Sequence, residues 1–140
     1  MLILNPPKVT FGSDTWENVS SLTIDRGSEA VLEWSDAGPH PVFADALRRT
    51  VTITVVIELV RGPLDGPRPG DLETLTAISA PATPHAGRVR LTALAMVASV
   101  RHEVSARRGA IRTVTLAAIS PDGAADPVTI EPVPVRGGAM

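Results

Sequence analysis

The chain has 140 residues, a formal net charge of −2, no cysteine and only 3% aromatic residues. This length suffices for one domain with its own hydrophobic core, which must be built mainly from aliphatic side chains. The absence of cysteine excludes a disulfide framework and a thiolate metal site. No segment has the uninterrupted apolar length of a membrane span, and residues 1–7 lack the basic region of a secretory signal. We therefore expect a soluble protein that is made in the cytoplasm.

The charge is unevenly distributed along the chain. Residues 1–45 carry seven acidic and two basic side chains, whereas residues 86–120 carry six arginines and one glutamate. Two interpretations stay open: the segments face each other inside one domain, or they meet between neighbouring copies in a head-to-tail contact. Nucleic-acid binding by the arginines is disfavoured, because the total charge is near neutral and aromatic side chains are scarce.

The first elements in chain order form a predicted hairpin. Residues 16–24 alternate loosely between apolar and polar side chains, residues 25–28 have the composition of a turn, and residues 29–34 form a second strand. Residues 35–49 are rich in glycine and proline. We expect them to form a long loop between strands, of a length that usually has a function.

The clearest strand covers residues 50–59. Alternate residues are aliphatic and most of the others are threonine, a pattern that suits a half-buried strand and suits a helix poorly. The aliphatic face consists of Val51, Ile53, Val55, Ile57 and Leu59. This run determines the predicted fold class.

The next elements continue the strand pattern. After a loop at residues 61–70, residues 71–79 fit either a short helix or a strand, and we favour a strand. Residues 88–104 form one long extended segment whose apolar face changes side near Ala93, as a β-bulge would produce.

The last elements are a hairpin and a short strand. Residues 105–110 form the hairpin tip and residues 111–119 its second strand. A loop at residues 120–127 then leads to a final strand at residues 128–131.

Together these segments predict an all-β protein, a sandwich or barrel of about six to eight mostly antiparallel strands. We expect a single domain over residues 1–140, with loose ends at residues 1–7 and 132–140. An open fold of this kind has strand edges that pair with other chains unless they are covered.

Motifs for catalysis are missing from the sequence. No glycine-rich phosphate loop and no nucleophile elbow occur. The three histidines, His40, His85 and His102, have no metal-ligand spacing. We predict no catalytic residue, no cofactor and no metal site, and we do not expect an enzyme.

Two short features have competing interpretations. Asp122 and Asp126 could supply oxygen ligands to calcium, but Asp-Gly and Asp-Pro pairs are ordinary turn chemistry, in which the carboxylate bonds its own backbone. Trp16 and Trp34 could form a platform that stacks on a sugar, but tryptophans in a chain with few aromatic residues are more often core anchors.

The order of several segments resembles the phage tail tube proteins, the family that shares its fold with type VI secretion tube subunits. The resemblance covers most of the chain and rests on VSSLTI at residues 19–24, the long loop at 35–49, RTVTITV at 49–55, GDLETL at 70–75, the hairpin of 89–104 with 111–119, and SPDGAADPVTI at 120–130. The chain departs from the family pattern in lacking a clear helix, since residues 71–79 are the only candidate.

This resemblance implies a structural subunit of a tail tube. Copies would form hexameric rings whose strands continue from one subunit to the next. The rings would stack around a channel that DNA crosses without specific binding. The implied partners are other copies of the chain and tail proteins of the sheath, baseplate or terminator type. The implied location is the virion tail, after synthesis in the cytoplasm of a bacterial host.

The same interpretation predicts three sets of residues. The contact between stacked rings is expected at Pro39, His40, Pro41, Val42 and Phe43. Opposite charges between neighbouring subunits are expected at Arg107, Arg108, Glu29 and Glu33. A channel wall must not hold phosphates, so the neutral residues Thr113 and Thr115 are candidates for it.

Two other functions compete with the tail tube. A baseplate, tail-terminator or capsid decoration protein of related fold would also self-associate but would form no long tubes. A carbohydrate-binding β-sandwich that uses its two tryptophans would be a monomer.

Overall fold

The computed structural model describes residues 2–4, 8–59, 66–79, 89–106 and 109–132. These residues form nine strands and no helix. The strands are β1 (Leu2–Leu4), β2 (Lys8–Phe11), β3 (Asp14–Glu17), β4 (Val19–Trp34), β5 (Pro41–Leu59), β6 (Leu72–Ser79), β7 (Val89–Ser105), β8 (Gly109–Ile119) and β9 (Val128–Pro132). The all-β prediction is confirmed, and so is the choice of strand for β6.

All nine strands belong to one antiparallel sheet with the order β1-β4-β5-β8-β7-β6-β2-β3, while β9 pairs with the first part of β7. The longest strands, β4, β5 and β7, have 16, 19 and 17 residues. The strand count is therefore higher than the predicted six to eight, because the first residues also pair into short strands.

The sheet is curled so that its two ends meet at one residue. β3 and β4 lie towards opposite ends of the strand order, yet only Asn18 separates them in the chain. Since consecutive Cα atoms are about 3.8 Å apart, the ends of these strands lie within roughly 8 Å of each other. The carbonyl of Asn18 accepts a hydrogen bond of 3.0 Å from the amide of Glu58 on β5. Among the described residues no ladder joins β3 to β4, so the sheet is curled but not closed.

The concave face of the curled sheet holds the hydrophobic core. Its buried side chains come from β2 to β9 and are almost all aliphatic. They are Val9, Phe11, Trp16, Val19, Leu22, Ile24, Val51, Ile53, Val55, Ile57, Leu75, Ala77, Leu91, Ala93, Ala95, Val97, Val114, Leu116 and Val128. The alternation predicted for residues 50–59 is confirmed, with Leu59 only half-buried.

Three predictions for residues 16–49 are wrong. The strand predicted at residues 16–24 is divided at Asn18 into the end of β3 and the start of β4. β4 continues through the predicted turn at residues 25–28, and the predicted loop at residues 35–49 is a short turn followed by β5. Gly27 pairs with Thr50 on β5, and continuous pairing with a long neighbour outweighs the local turn preference. Pro41 is compatible with this arrangement because it is the first residue of its strand.

The bulge predicted near Ala93 lies further along β7. The buried face continues through Ala93 to Val97, and the register with β8 shifts between Val97 and Ser99, so that Ala98 is the additional residue. Beyond the shift, Val100 lies opposite Val114 and packs against the core.

Asn18 provides a test of the curled sheet. Its φ of 59° lies in the left-handed region, which glycine adopts freely and alanine does not. We expect Asn18→Ala to lower the free energy of unfolding by about 1 kcal/mol and Asn18→Gly to change it by less than about 0.5 kcal/mol. Urea denaturation measures both values. Equal free energies of unfolding for the two variants would contradict a strained backbone at Asn18.

Candidate functional site

The most distinctive surface feature is a two-stranded arm, residues 25–50, formed by the second half of β4, a turn at residues 35–40 and the first part of β5. Each arm strand has only the other as its neighbour among the described residues. β8 pairs with β5 only from Thr52 to Leu59, and β1 pairs with β4 only from Leu22 to Ile24. A two-stranded hairpin by itself is marginally stable in water, so the arm lacks the support that the core gives the rest of these strands.

One face of the arm carries exposed apolar side chains. Ala30, Leu32 and Trp34 lie on the same face of β4 as the buried Leu22 and Ile24, but beyond the core. Trp34 is 58% exposed and Leu32 is 41% exposed. Large apolar side chains grouped on an exposed surface are typical of an interaction site.

The residues predicted for ring stacking lie together at the tip of the arm. Pro39 and His40 belong to the turn, and Pro41, Val42 and Phe43 begin β5; all five are exposed. Val42 is 67% exposed. The register places Trp34 opposite Pro41, so the apolar groups of both strands meet at this tip.

The outer edge of β4 along residues 25–34 has no strand beside it in the described part of the chain. Such an edge presents unpaired backbone donors and acceptors that can pair with another chain. Glu29 and Glu33, predicted to contact a neighbouring subunit, are both exposed on this strand. The residues predicted to face them, Arg107 and Arg108, lie outside the described residues.

The observed ion pairs bear on the uneven charge. Arg48 lies 3.9 Å from Glu29, with both side chains largely exposed, and such a pair contributes little to stability. Arg26 lies 3.2 Å from Asp126. Neither pair joins the acidic residues 1–45 to the arginines of residues 86–120, so the head-to-tail interpretation stays a prediction.

A groove with a volume of about 450 Å³ lies where the arm meets the body. Arg26 and Arg49 line it on the arm side, and residues 123–127 line it on the other. The guanidinium of Arg26 donates a hydrogen bond to Asp126. This bond links β4 to the loop before β9, but both side chains are about half exposed, so it contributes little to stability.

Asp122 organises that loop. Its Oδ1 accepts hydrogen bonds from the amides of Ala125 (2.8 Å) and Ala124 (2.9 Å) and from the hydroxyl of Ser120 (3.2 Å). Asp126 accepts a bond from the amide of Val128 in the same way. Both carboxylates therefore show turn chemistry. No group of three or more metal-ligating side chains occurs among the described residues.

The two tryptophans do not form a pair. Trp16 is 6% exposed and stacks on Phe11 with ring centroids 5.1 Å apart, whereas Trp34 lies exposed on the arm. The prediction of a core anchor is confirmed for Trp16 and wrong for Trp34. A sugar platform made from both rings is contradicted, because one of them is buried.

Thr113 and Thr115 lie half-buried on the convex face of β8. Thr115 belongs to a row of hydroxyl side chains that crosses four strands, each residue lying opposite the next. The row consists of Thr23, Thr54, Thr115 and Ser99. Thr113 lies in the adjacent row, between Val56 and Arg101. This region of the convex face is polar and mostly uncharged.

The sequence analysis missed an apolar patch on the convex face. We define the convex patch as Leu72, Leu94, Met96 and Ile119, which are between 37% and 50% exposed. Leu72 lies opposite Met96, and Leu94 lies opposite Ile119. The sequence contained a signal for this patch, because Leu94 and Met96 alternate with alanines that are buried. The sequence analysis interpreted this alternation as a β-bulge near Ala93.

Arg112 ends the concave face of β8. It follows the alternation of Val114 and Leu116 and is 6% exposed. Its Nε donates a hydrogen bond of 3.0 Å to Nε2 of His102, which acts as the acceptor. A Cβ at Gly66 would come within 2.6 Å of the guanidinium. The sequence alone gave no sign that this arginine is buried.

Comparisons with known proteins gave distant similarities. No protein-family model matches the sequence, and no curated protein matches it. The chain is similar to one in a structure described as the virion of a native gene transfer agent (GTA) particle, with 15% identity, 84% of this chain and 88% of that chain covered, and a TM-score of 0.47. It is also similar to one in the tail of an empty GTA particle with C6 symmetry, with 14% identity, 86% of each chain covered and a TM-score of 0.46. At these values the likeness assigns neither a family nor a function.

The described part of the chain contains no helix that is long and apolar enough to cross a membrane.

The hydrogen bonds of Asp122 predict a titration. The amide of Ala125, then that of Ala124 and the Ser120 hydroxyl, favour the charged carboxylate and lower the pKa of Asp122 below 3.8. The loop bonds are therefore fully present above pH 3.8 and are lost as the pH falls through the lower folded-state pKa. Carbon-detected NMR should give a midpoint below 3.8 for Asp122, with the Ala124 and Ala125 amides following it. A midpoint at or above that value would contradict this loop geometry.

Proposed function

We propose that the chain is a structural subunit of a phage or phage-like tail tube, whose copies assemble into hexameric rings that stack around a channel for DNA. The arm carries the proposal: residues 25–50 extend beyond the core with exposed apolar side chains and a free strand edge. Such a ribbon gains stability when another chain packs on it. The segments that resemble those of tail tube proteins, and their order along the chain, support the same function.

Ring formation would satisfy the free edge of β4. A head-to-tail contact that closes by rotation gives every subunit the same two neighbours and leaves no edge exposed. Glu29 and Glu33 on this edge would face Arg107 and Arg108 of the next subunit. This arrangement uses the uneven charge of the chain as attraction between copies.

In this proposal, stacked rings contact each other through the tip of the arm, and the convex face lines the channel. The tip presents Val42 and Phe43 to the next ring. The hydroxyl row that contains Thr115 supports a place at the channel wall, because an uncharged polar surface does not hold phosphates. Thr113 lies beside it.

In this proposal the chain acts as one structural domain without an enzymatic role. Sheath, baseplate or terminator proteins are its further partners, and it resides in the virion tail after synthesis in the cytoplasm of a bacterial host. Of the chain ends predicted to be loose, Leu2–Leu4 and Pro132 belong to strands, and residues 1, 5–7 and 133–140 lie outside the described residues.

Assembly depends on the apolar face of the arm. We expect the double variant Leu32→Ser, Trp34→Ser to form no tubes, while its free energy of unfolding as a monomer changes by less than about 1 kcal/mol because both side chains are exposed. Negative-stain microscopy should show hollow cylinders for the natural chain and single particles for the variant. Ile130→Ser is the matched control, since Ile130 is 42% exposed and Leu32 is 41% exposed, and it should form cylinders. A natural chain that stays monomeric at high concentration would overturn the proposal, and rings without cylinders would favour a terminator or baseplate protein.

The inter-subunit charges can be tested by exchange. Glu29→Lys with Glu33→Lys should raise the critical concentration for assembly on the order of tenfold, which corresponds to about 1.4 kcal/mol. Arg107→Glu with Arg108→Glu should have a similar effect, and the chain with all four changes should recover. Sedimentation of assembled protein measures the critical concentration, and Glu131→Lys serves as a control outside the proposed contact. Unchanged assembly of both double variants would remove these residues from the interface.

A further inference from the structure

We infer that the arm pairs with a strand of a second copy through its β4 edge alone, because two β-bulges and a proline close its β5 edge to strand pairing. The inference rests on the proposed assembly and specifies which side of the arm takes part in it. Both outer edges of the arm lack a neighbouring strand in the part of the chain that the structure describes. β1 pairs with β4 no further than Ile24, and β8 pairs with β5 no nearer than Thr52.

The two arm strands differ in the regularity of their backbones. Residues 25–34 of β4 pair with residues 41–52 of β5, so β5 has two more residues over the same length. One additional residue is Leu47, because Arg48 and Ala46 lie opposite the consecutive residues Glu29 and Ala30. The other is Val42, which has no partner between Pro41 and Phe43. Each of them makes a β-bulge on β5.

These bulges interrupt the outer edge of β5. A bulge leaves one residue unpaired, bends the strand that carries it and increases the local twist. An added strand needs a continuous run of outward amide and carbonyl groups with the regular alternation of a ladder. On β5 only residues 43–46 lie between the two bulges, a run shorter than the usual strand of about five or six residues.

A proline removes one more donor from the same edge. Pro41, the first residue of β5, has no amide hydrogen. Prolines and bulges on edge strands are both devices that prevent pairing with other chains. β4 has neither a proline nor a bulge from Asp25 to Trp34, so its edge offers a regular run that is longer than a usual strand.

Charge does not distinguish the two edges. Charged side chains also protect an edge from pairing, but both strands carry them. Glu29 and Glu33 belong to β4, and Asp45 and Arg48 belong to β5. The difference between the edges therefore lies in the backbone.

An arm with one usable edge limits how copies associate. Each arm then pairs with one neighbour, which suits a head-to-tail contact that closes into a ring. If both edges were usable, another copy would add to β5 and the assembly would branch. The bulges thus protect against unwanted pairing while the β4 edge stays available.

Proline substitutions on the two strands test the inference. In an antiparallel pair, alternate residues direct their amides outward, so one of any two adjacent residues becomes proline without losing a hydrogen bond inside the arm. Val31→Pro and Leu32→Pro cover β4, and the matched controls Asp45→Pro and Ala44→Pro change the residues directly opposite them on β5. Nuclear Overhauser contacts between Glu33 and Phe43, which lie opposite each other, identify the variants whose arm stays paired.

The β4 variant with a paired arm should raise the critical concentration for assembly on the order of tenfold, which corresponds to about 1.4 kcal/mol. The β5 variant with a paired arm should change it by less than about twofold. Sedimentation measures both values. A β4 variant that assembles like the natural chain, or a β5 variant that is impaired as strongly, would overturn this inference and leave the proposed function standing. A natural chain that forms no assemblies would overturn both.

Deletion of a bulge residue tests the protective role of β5. Removing Leu47 leaves every partner pair of the arm in place, because its neighbours already lie opposite consecutive residues of β4. The regular run of β5 then extends from Phe43 to Thr50, and we expect laterally joined or branched assemblies in negative-stain microscopy. Leu47→Ala keeps the additional residue and should assemble like the natural chain. Unbranched assemblies from the deletion variant would overturn the inference.

Discussion

The structure depends on one mismatch: the strands β4 and β5 are longer than the core that supports them. With 16 and 19 residues, they extend roughly 50 and 60 Å at about 3.3 Å per residue. The core buries their side chains only between Val19 and Ile24 on β4 and between Val51 and Ile57 on β5. Residues 25–34 of β4 and 41–50 of β5 pair only with each other among the described residues, which leaves an arm with an unpaired backbone edge and exposed apolar side chains.

The body of the protein reaches stability by a different route. With so few aromatic residues, a flat sheet of this chain would bury little area, but the curl at Asn18 directs one face of all the longer strands into a common core. The sheet thereby separates three surfaces: a concave aliphatic core, a convex region of threonine and serine hydroxyls, and the convex patch. Only the first is satisfied within one subunit. The patch and the arm are both left exposed, and the exposure of the arm is the observation on which the proposed assembly rests.

Local pattern was sufficient to predict most of the strands that cross the core, although β2 was not predicted and the strand predicted at residues 16–24 is divided at Asn18. The alternation of β-branched residues in residues 50–59 predicted both the strand and its buried face, and residues 71–79 were correctly favoured as a strand. The carboxylate of Asp122 was also foreseen as turn chemistry. In each case the signal lies within a few neighbouring residues.

The features that matter most for function were not visible in the same way. The arm forms because Gly27 pairs with Thr50 far along the chain, while the sequence around residues 25–28 alone favours a turn. Trp34 is a large apolar residue of the kind that usually anchors a core. Only the structure shows that the core ends before Trp34. The convex patch was hidden because the alternation of β7 is apolar on both faces, and exposure on one face follows from the curl.

Hydrogen–deuterium exchange of the arm amides tests the central claim most directly. In dilute, unassembled protein, the amides of residues 25–34 and 41–50 should exchange much faster than those of residues 51–57, because the arm opens without disrupting the core. In assembled protein the arm amides should become protected, while those of residues 51–57 change little. Equal and strong protection of arm and core in the dilute monomer would show that the arm is stable alone, and would contradict this account.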